Sequence, residues 1–264
     1  MGGRILIGTS GYSYDDWVGP VYPPGTQKKD FLARYAAEFP AVELNFSYYQ
    51  QPSARTLERM VTSTPPTFQF ALKAHRSMTH EIGDTWESDI AAFREGIKPL
   101  SESGRLAAVL LQFPHGFAYT PESRTRLSRL CDKLSGLSLA VEFRRSEWQR
   151  ETVFQGLRER GVALASVDEP DLPGLLRPTT EVTGPLGYIR MHGRNKENWW
   201  TGDNASRYDY LYSGAELSEW KQRIREIMEK LPLVLFFFNN HWRGNAAQNA
   251  REMRMLLRAE GLMT

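Results

Sequence analysis

Residues 233–250 read LVLFFFNNHWRGNAAQNA. No apolar run in the chain is longer than Leu233 to Phe238, and it is far too short to cross a bilayer. Its Val, Leu and Phe content suits a buried parallel strand. Asn239, Asn240 and His241 put polar groups at the strand's end. A short turn later a helical pattern begins, with Ala246, Ala250, Met253 and Leu257 on its apolar side.

The same unit recurs upstream. Seven further β-rich runs stand out: ILIG (5–8), VELNF (42–46), FQFALK (68–73), AAVLLQF (107–113), LSLAVEF (137–143), VALASV (162–167) and GYIRMH (187–192). Amphipathic patterns separate most of them. Phe31, Tyr35 and Phe39 mark one helix, Leu57, Met60 and Val61 a second, and Ile90, Phe93, Ile97 and Leu100 a third. Thr120-Pro121 reads as an N-cap with proline in the first helical position, ahead of Leu127, Leu130, Cys131 and Leu134. A shorter helix is expected over 151–160. Ser213 to Glu216 is a capping box before Leu217, Trp220, Ile224, Ile227 and Leu231. One unit differs: Pro170 to Pro185 holds four prolines and two glycines and cannot carry a long helix.

Eight strands alternating with helices, with no linker between them, predict an α/β fold. We read one domain over residues 1–264, a (β/α)8 TIM-barrel-like fold with an irregular sixth unit. An open doubly wound sheet competes with it. The lack of a G-x-G-x-x-G turn after the first run weakens the dinucleotide-binding form of that alternative.

Composition narrows the class. Of the 264 residues, 41% are hydrophobic and 24% charged, which excludes a disordered or fibrous chain. Lys and Arg number 33 against 31 Asp and Glu, so there is no bulk drive toward nucleic acid or anionic membrane. The single Cys131 excludes an intrachain disulfide and a Cys-rich zinc site. Residues 1–8 lack a secretory core, and a cytoplasmic protein with no membrane partner is expected.

In either architecture ligands bind at the carboxyl ends of the strands. Those ends carry polar groups that the strand bodies lack: Glu43 and Asn45, Lys73 and His75, Gln112, Glu142 and Arg144, Asp168, Arg190 and His192, then Asn239, Asn240 and His241. A charge inside an apolar strand costs several kcal/mol unless paired. The set therefore reads as a site, with a salt-bridge net plugging the barrel mouth as the bland alternative. Glu43, Glu142 and Asp168 offer carboxylates against Lys73, Arg144 and Arg190, a balance that suits a polar or anionic organic substrate. No cofactor is predicted. No ligand spacing such as H-E-x-x-H supports a metal, although a single divalent ion held by a His and two carboxylates stays open.

Lys73, if desolvated, would form a Schiff base; the bland expectation pairs it with Glu43 or Glu142. His192 and His241 are the histidines expected to move protons, whereas His80 and His115 lie on loops. Asn240, Arg243, Gly244 and the following helix amides form a candidate anion cradle. The long segment 193–213 carries Trp199, Trp200 and Tyr208 for stacking, and the opening loop carries Tyr12, Tyr14, Trp17 and Tyr22 to wall the mouth.

GTSGYSYDDW, VELNFSYYQQP, FALKAHRSMTHE, LLQFP, VEFRRSEW, YIRMHGR and FFFNNHWRGNAAQNA follow one another along the chain. In that order they resemble the YecE-like family, numbered 72 among domains of unknown function. The resemblance runs from about residue 4 to 260 and implies a TIM barrel. It supplies no reaction. The family's motif positions correspond here to Glu43, Asn45, Lys73, Gln112, Glu142, Arg144, Arg190, His192, Asn239 and Asn240. Tyr12 stands where the family often has Trp, and Ser47-Tyr48 where it often has Thr-Phe.

The expectation is an enzyme acting by acid/base chemistry on a small polar substrate, phosphorylated or nucleotide-like, at the C-terminal face. Its catalytic set would be Glu43, Lys73, Glu142, Asp168, Arg190 and His192. Asn45, His75, Gln112, Arg144, Asn239, Asn240, His241, Arg243, Trp199 and Tyr12 would bind the substrate. Hydrolase, lyase and isomerase chemistry all fit. Two other readings stay open. One is a nucleic-acid-binding or processing barrel using Arg76, Arg145, Arg194 and Lys196 as well. The other is a ligand-binding protein without chemistry.

Overall fold

Eight strands close in chain order, each parallel to both neighbours, in the computed structural model, which describes residues 3–263. They are β1 (Arg4–Ser10), β2 (Ala41–Leu44), β3 (Gln69–Lys73), β4 (Leu106–Gln112), β5 (Leu139–Glu142), β6 (Ala163–Asp168), β7 (Gly187–Met191) and β8 (Leu233–Phe238). Each corresponds to one of the eight apolar runs. β1 and β8 close the ring over the register Arg4↔Leu233 to Thr9↔Phe238, so the open-sheet alternative is excluded.

Side chains alternate across each strand, and the alternation sets what fills the barrel. One phase is small: Ala41, Ala71, Ala140 and Ala165 face inward beside Leu6, Leu110, Tyr188 and Phe237. The other phase (Val42, Phe70, Leu72, Val141, Ile189 and Phe236 among others) packs under the outer helices in the larger core. Small residues at the barrel's waist leave room above them for long side chains from the same phase. Glu43 follows Ala41, Lys73 follows Ala71, Glu142 follows Ala140, and Arg190 follows Tyr188.

The outer layer follows the amphipathic patterns. Helix Pro121–Lys133 starts at the Thr120 cap, whose hydroxyl accepts from the Ser123 amide at 3.2 Å. The Ser213–Glu216 capping box forms, and it opens Gly214–Ser218 just before helix Trp220–Lys230. No helix follows β6. Residues 169–186 instead lie against the outer face of that strand, where Ser166 Oγ accepts from the Thr179 amide at 2.9 Å and Thr183 Oγ1 bridges Val162 and Leu164. Gly184 is required there, since a Cβ would stand 2.4 Å from the Ala163 nitrogen. The irregular unit thus replaces a helix. Among the described residues, no helix is long and apolar enough to cross a membrane.

Candidate functional site

The inward phase of β2, β5 and β7 meets in a buried ion network. Arg190 donates from Nε and Nη2 to the two Glu43 carboxylate oxygens at 2.9 and 2.6 Å, and from Nη1 to Glu142 Oε2 at 2.7 Å. The Tyr188 hydroxyl donates to Glu43 Oε2 at 2.7 Å. Arg144 Nε lies 2.8 Å from Glu142 Oε1, and His192 Nε2 faces the same oxygen at 3.3 Å. Burial alone would raise the Glu142 carboxyl, but Arg144, Arg190 and His192 outweigh it and hold it well below the usual range. Glu43, Glu142 and His192 are fully buried.

Above this network opens a cavity of about 1370 Å³ at the carboxyl ends of the strands. Lys73, Arg144, Arg190 and Arg207 line its depth, and Lys28, Lys29 and Arg59 its rim. No Asp or Glu is among the described residues of its wall. The expected balance of charge is therefore layered: carboxylates lie beneath, cations face the cavity. Tyr12, Tyr14, Tyr48, Trp199, Trp200 and Tyr208 supply flat apolar walls, and Asn45, Gln112 and Asn239 supply amides.

Lys73 is not paired with Glu43 or Glu142, because Arg190 occupies both. Its ammonium makes no hydrogen bond or ion pair among the described residues and lies 4.0 Å from the centre of the Tyr48 ring. Burial, and after it the positive charge of Arg190, lower its pKa to about 7. His80 also packs on Tyr48, 4.9 Å away between ring centres and with the two rings nearly perpendicular. Burial, followed by the charge of Lys73, brings His80 down to about 4, so near pH 7 His80 is a free base and Lys73 is shared between its two forms.

Tyr12, Asn45, Lys73, Gln112, Arg144, Arg190, Trp199, Asn239 and His241 line the cavity as one group. Several other expectations change. Glu43 and Glu142 lie in the wall behind Arg190, so they hold the cation in place instead of facing a substrate. His192 is closed off from the cavity: its Nδ1 sits 3.1 Å from the Asn239 amide nitrogen, and burial together with Arg144 lowers it to about 3. With no face on the cavity, it is not placed to exchange a proton with a bound substrate. Asp168 has the outward phase of β6. It accepts from Arg194, Tyr212 and Trp220 at 2.7 to 2.9 Å and knits the barrel to the outer layer.

His75 lies past the end of β3 and caps the short helix Arg76–Thr79, with Nδ1 2.8 Å from Ser77 Oγ. Asn240 also has the outward phase and donates to Tyr210 and Asn249. The anion cradle after β8 is already filled from within, because the Arg243 amide donates to the Asp16 carboxylate at 2.7 Å. Arg243 itself has a left-handed backbone, φ 49°, and an exposed side chain.

Several cavity residues were placed outside the site or passed over by the sequence reading, Lys28, Lys29, Tyr48 and Arg59 among them. His80 and His115 both line the wall, with His115 edge-on to Trp200 at 4.8 Å. Arg207 ends the short helix Asn204–Arg207 within the long 193–213 segment, and its Nε is buried without a partner among the described residues. His80, His115 and Arg207 lie on loops or at the ends of four-residue helices, too short to carry a periodic signal. Glu169, buried below Arg144 at 3.4 Å, was also missed. Among the described residues, no group of three or more His, Cys, Asp or Glu could hold a metal ion.

Comparison with known proteins agrees with this architecture. The family described as "Protein of unknown function DUF72" matches residues 6–263. The UPF0759 protein YunF of Bacillus subtilis (strain 168) is 34% identical over 275 residues, covering 97% of this chain and 95% of that one. The crystal structure of a DUF72 family protein from Thermotoga maritima superposes with a TM-score of 0.90 at 39% identity, over 97% of this chain and 99% of the other. One from Enterococcus faecalis gives a TM-score of 0.85 at 28% identity, over 97% and 96%.

Proposed function

Because the chain belongs to the DUF72 family, whose description names no reaction, we propose a function from the cavity itself: an enzyme that binds a small organic anion and works on it by acid/base chemistry. One observation carries this reading. Seven Lys and Arg side chains and no carboxylate line the cavity among the described residues. Cations that face a concave site of reduced dielectric, with their carboxylate partners set behind the wall or outside it, favour an anionic guest, and a phosphate offers acceptors for several of them at once. The tyrosine and tryptophan walls suit the flat or ring-shaped remainder of such a molecule.

Lys73 and His80 are the proton-transfer groups in this reading. Both flank Tyr48, both line the cavity, and both offer a free base near neutral pH. Arg144 and Arg190, fixed from behind by Glu142 and Glu43, would stabilise negative charge that develops on the substrate. Phosphorylated sugars and nucleotides are the first compounds to try. In a thermal-shift series they should raise Tm, whereas their dephosphorylated counterparts should not. Equal shifts from the neutral compounds would remove the anion from the reading.

The nucleic-acid reading has less support. Arg76 pairs with Glu81 at 3.3 Å, Arg145 with Glu147 at 3.0 Å, and Arg194 with Asp168 at 2.7 Å. Arg144 and Arg190 are held inside the cavity. Few of the invoked cations remain free for a phosphate backbone. Salt-sensitive binding of a single- or double-stranded oligonucleotide would restore that alternative.

A further inference from the structure

Of the three strand-end cations that line the cavity, Lys73, Arg144 and Arg190, Lys73 alone has no hydrogen bond or ion pair from its charged end among the described residues. Arg190 is held by two carboxylates and Arg144 by Glu142 and Glu169, while Lys73 has only the face of Tyr48. It ends β3, a rigid element, and its inward phase points it into the cavity between Arg190 and the Tyr48 wall. An amine so placed, unpaired and close to fixed positive charge, suits nucleophilic addition better than charge pairing.

We propose that Lys73 forms a Schiff base with the carbonyl carbon of a small phosphorylated aldehyde or ketone held in this cavity. The proposal rests on the anion-binding reading above and names the substrate class for it. The Nζ lone pair attacks the carbonyl carbon, a C–N bond forms, and the C=O π pair moves to oxygen. That oxygen takes a proton and the nitrogen gives one up, which leaves a neutral carbinolamine with its nitrogen lone pair restored. With a second proton the oxygen leaves as water, while the nitrogen lone pair forms C=N. The net change is amine plus carbonyl plus one proton to iminium plus water. Lysine amines act in this way where burial or neighbouring cations lower their pKa, and burial and Arg190 do so here. The iminium is a cation that rests on the Tyr48 ring as the ammonium does. It would draw electrons from the adjacent carbon and so ease loss of a proton there.

The test is reductive trapping. The full-length protein is incubated with glyceraldehyde 3-phosphate and sodium cyanoborohydride, and the modified lysines are mapped by peptide mass spectrometry. A reduced adduct should form on Lys73 ahead of the other lysines. Unphosphorylated glyceraldehyde should label it about tenfold more slowly, the loss expected when one charge-assisted contact is missing. Lys73→Arg keeps the charge and should carry no adduct in the cavity.

Calorimetric titration with glycerol 3-phosphate, which has the anion but no carbonyl, separates the two claims. If it binds while labelling spreads over exposed lysines and spares Lys73, the Schiff base is overturned and the anion site stands. If it does not bind and Lys73 is not labelled, both fall. The decisive experiment uses the wild-type chain, so it does not depend on the variant folding.

Discussion

At the scale of single residues, Arg190 holds the inner site together. Its guanidinium joins β7 to Glu43 on β2 and Glu142 on β5, all three side chains being almost wholly buried. Removing one partner of such a group leaves the others charged and unsolvated, which is far more costly than losing a neutral bond. Arg190→Met should therefore lower unfolding free energy by about 3–5 kcal/mol in urea denaturation, because two carboxylates lose their counter-charge. Tyr188→Phe removes one hydrogen bond to the same Glu43 and should cost about 2 kcal/mol. A smaller loss for Arg190→Met than for Tyr188→Phe would mean that water enters and solvates the carboxylates, and that the network is not dry.

At the scale of elements, the connection 169–186 is tied to the site by one titrating group. Burial raises Glu169 to about 7, against the pull of Arg144. Its Oε1 accepts from the Leu176 amide at 2.9 Å, next to Leu175 in the cavity wall. From the ordinary carboxylate range up to about 7 the folded chain holds this proton and the unfolded chain does not. The folded state then binds more protons, so this group's contribution to stability falls as pH rises through that window. His192, depressed to about 3, has the opposite slope below the ordinary imidazole range, because there the unfolded chain binds more protons. Subtracting the stability curve of Glu169→Gln from that of wild type isolates the first effect. The difference should decline between about pH 4.5 and 7 by a few kcal/mol, and a flat difference would show that Glu169 is ionised in the fold.

The strands themselves were legible because buried parallel strands are continuous apolar runs, and the helix starts because Thr120-Pro121 and Ser213 to Glu216 carry their own capping chemistry. Phase within a strand end was legible too, but needed the small residues. Ala163 and Ala165 face inward on β6, which turns Asp168 outward three residues later. His75 shares the phase of Lys73, yet β3 has already ended at Lys73. The contributions of His80, His115 and Arg207 come from loops whose course depends on what they pack against, and no local pattern encodes that.

At the scale of the whole molecule, the charge is nearly balanced, 33 basic against 31 acidic residues, but it is unevenly spread. Seven of the cations line one mouth, while the acidic groups nearest to it lie beneath the wall or, like Asp15 against Lys28 at 2.9 Å, on the outer surface. A concave patch of one sign focuses its field outward and speeds the arrival of an anion. Lys28, Lys29 and Arg59 are exposed at the rim and can steer without gripping, whereas Arg144 and Arg190 hold what has arrived. The two tasks separate kinetically. Glycerol 3-phosphate association, followed by stopped-flow through the fluorescence of Trp199 and Trp200, should slow several-fold as salt shortens the Debye length from about 30 to 8 Å. The triple variant Lys28→Gln, Lys29→Gln, Arg59→Gln should start slower and show a shallower salt dependence, with a dissociation rate within about twofold of wild type. An unchanged salt slope in the triple variant would assign the steering to the inner cations, and the rim would then be ordinary solvated surface.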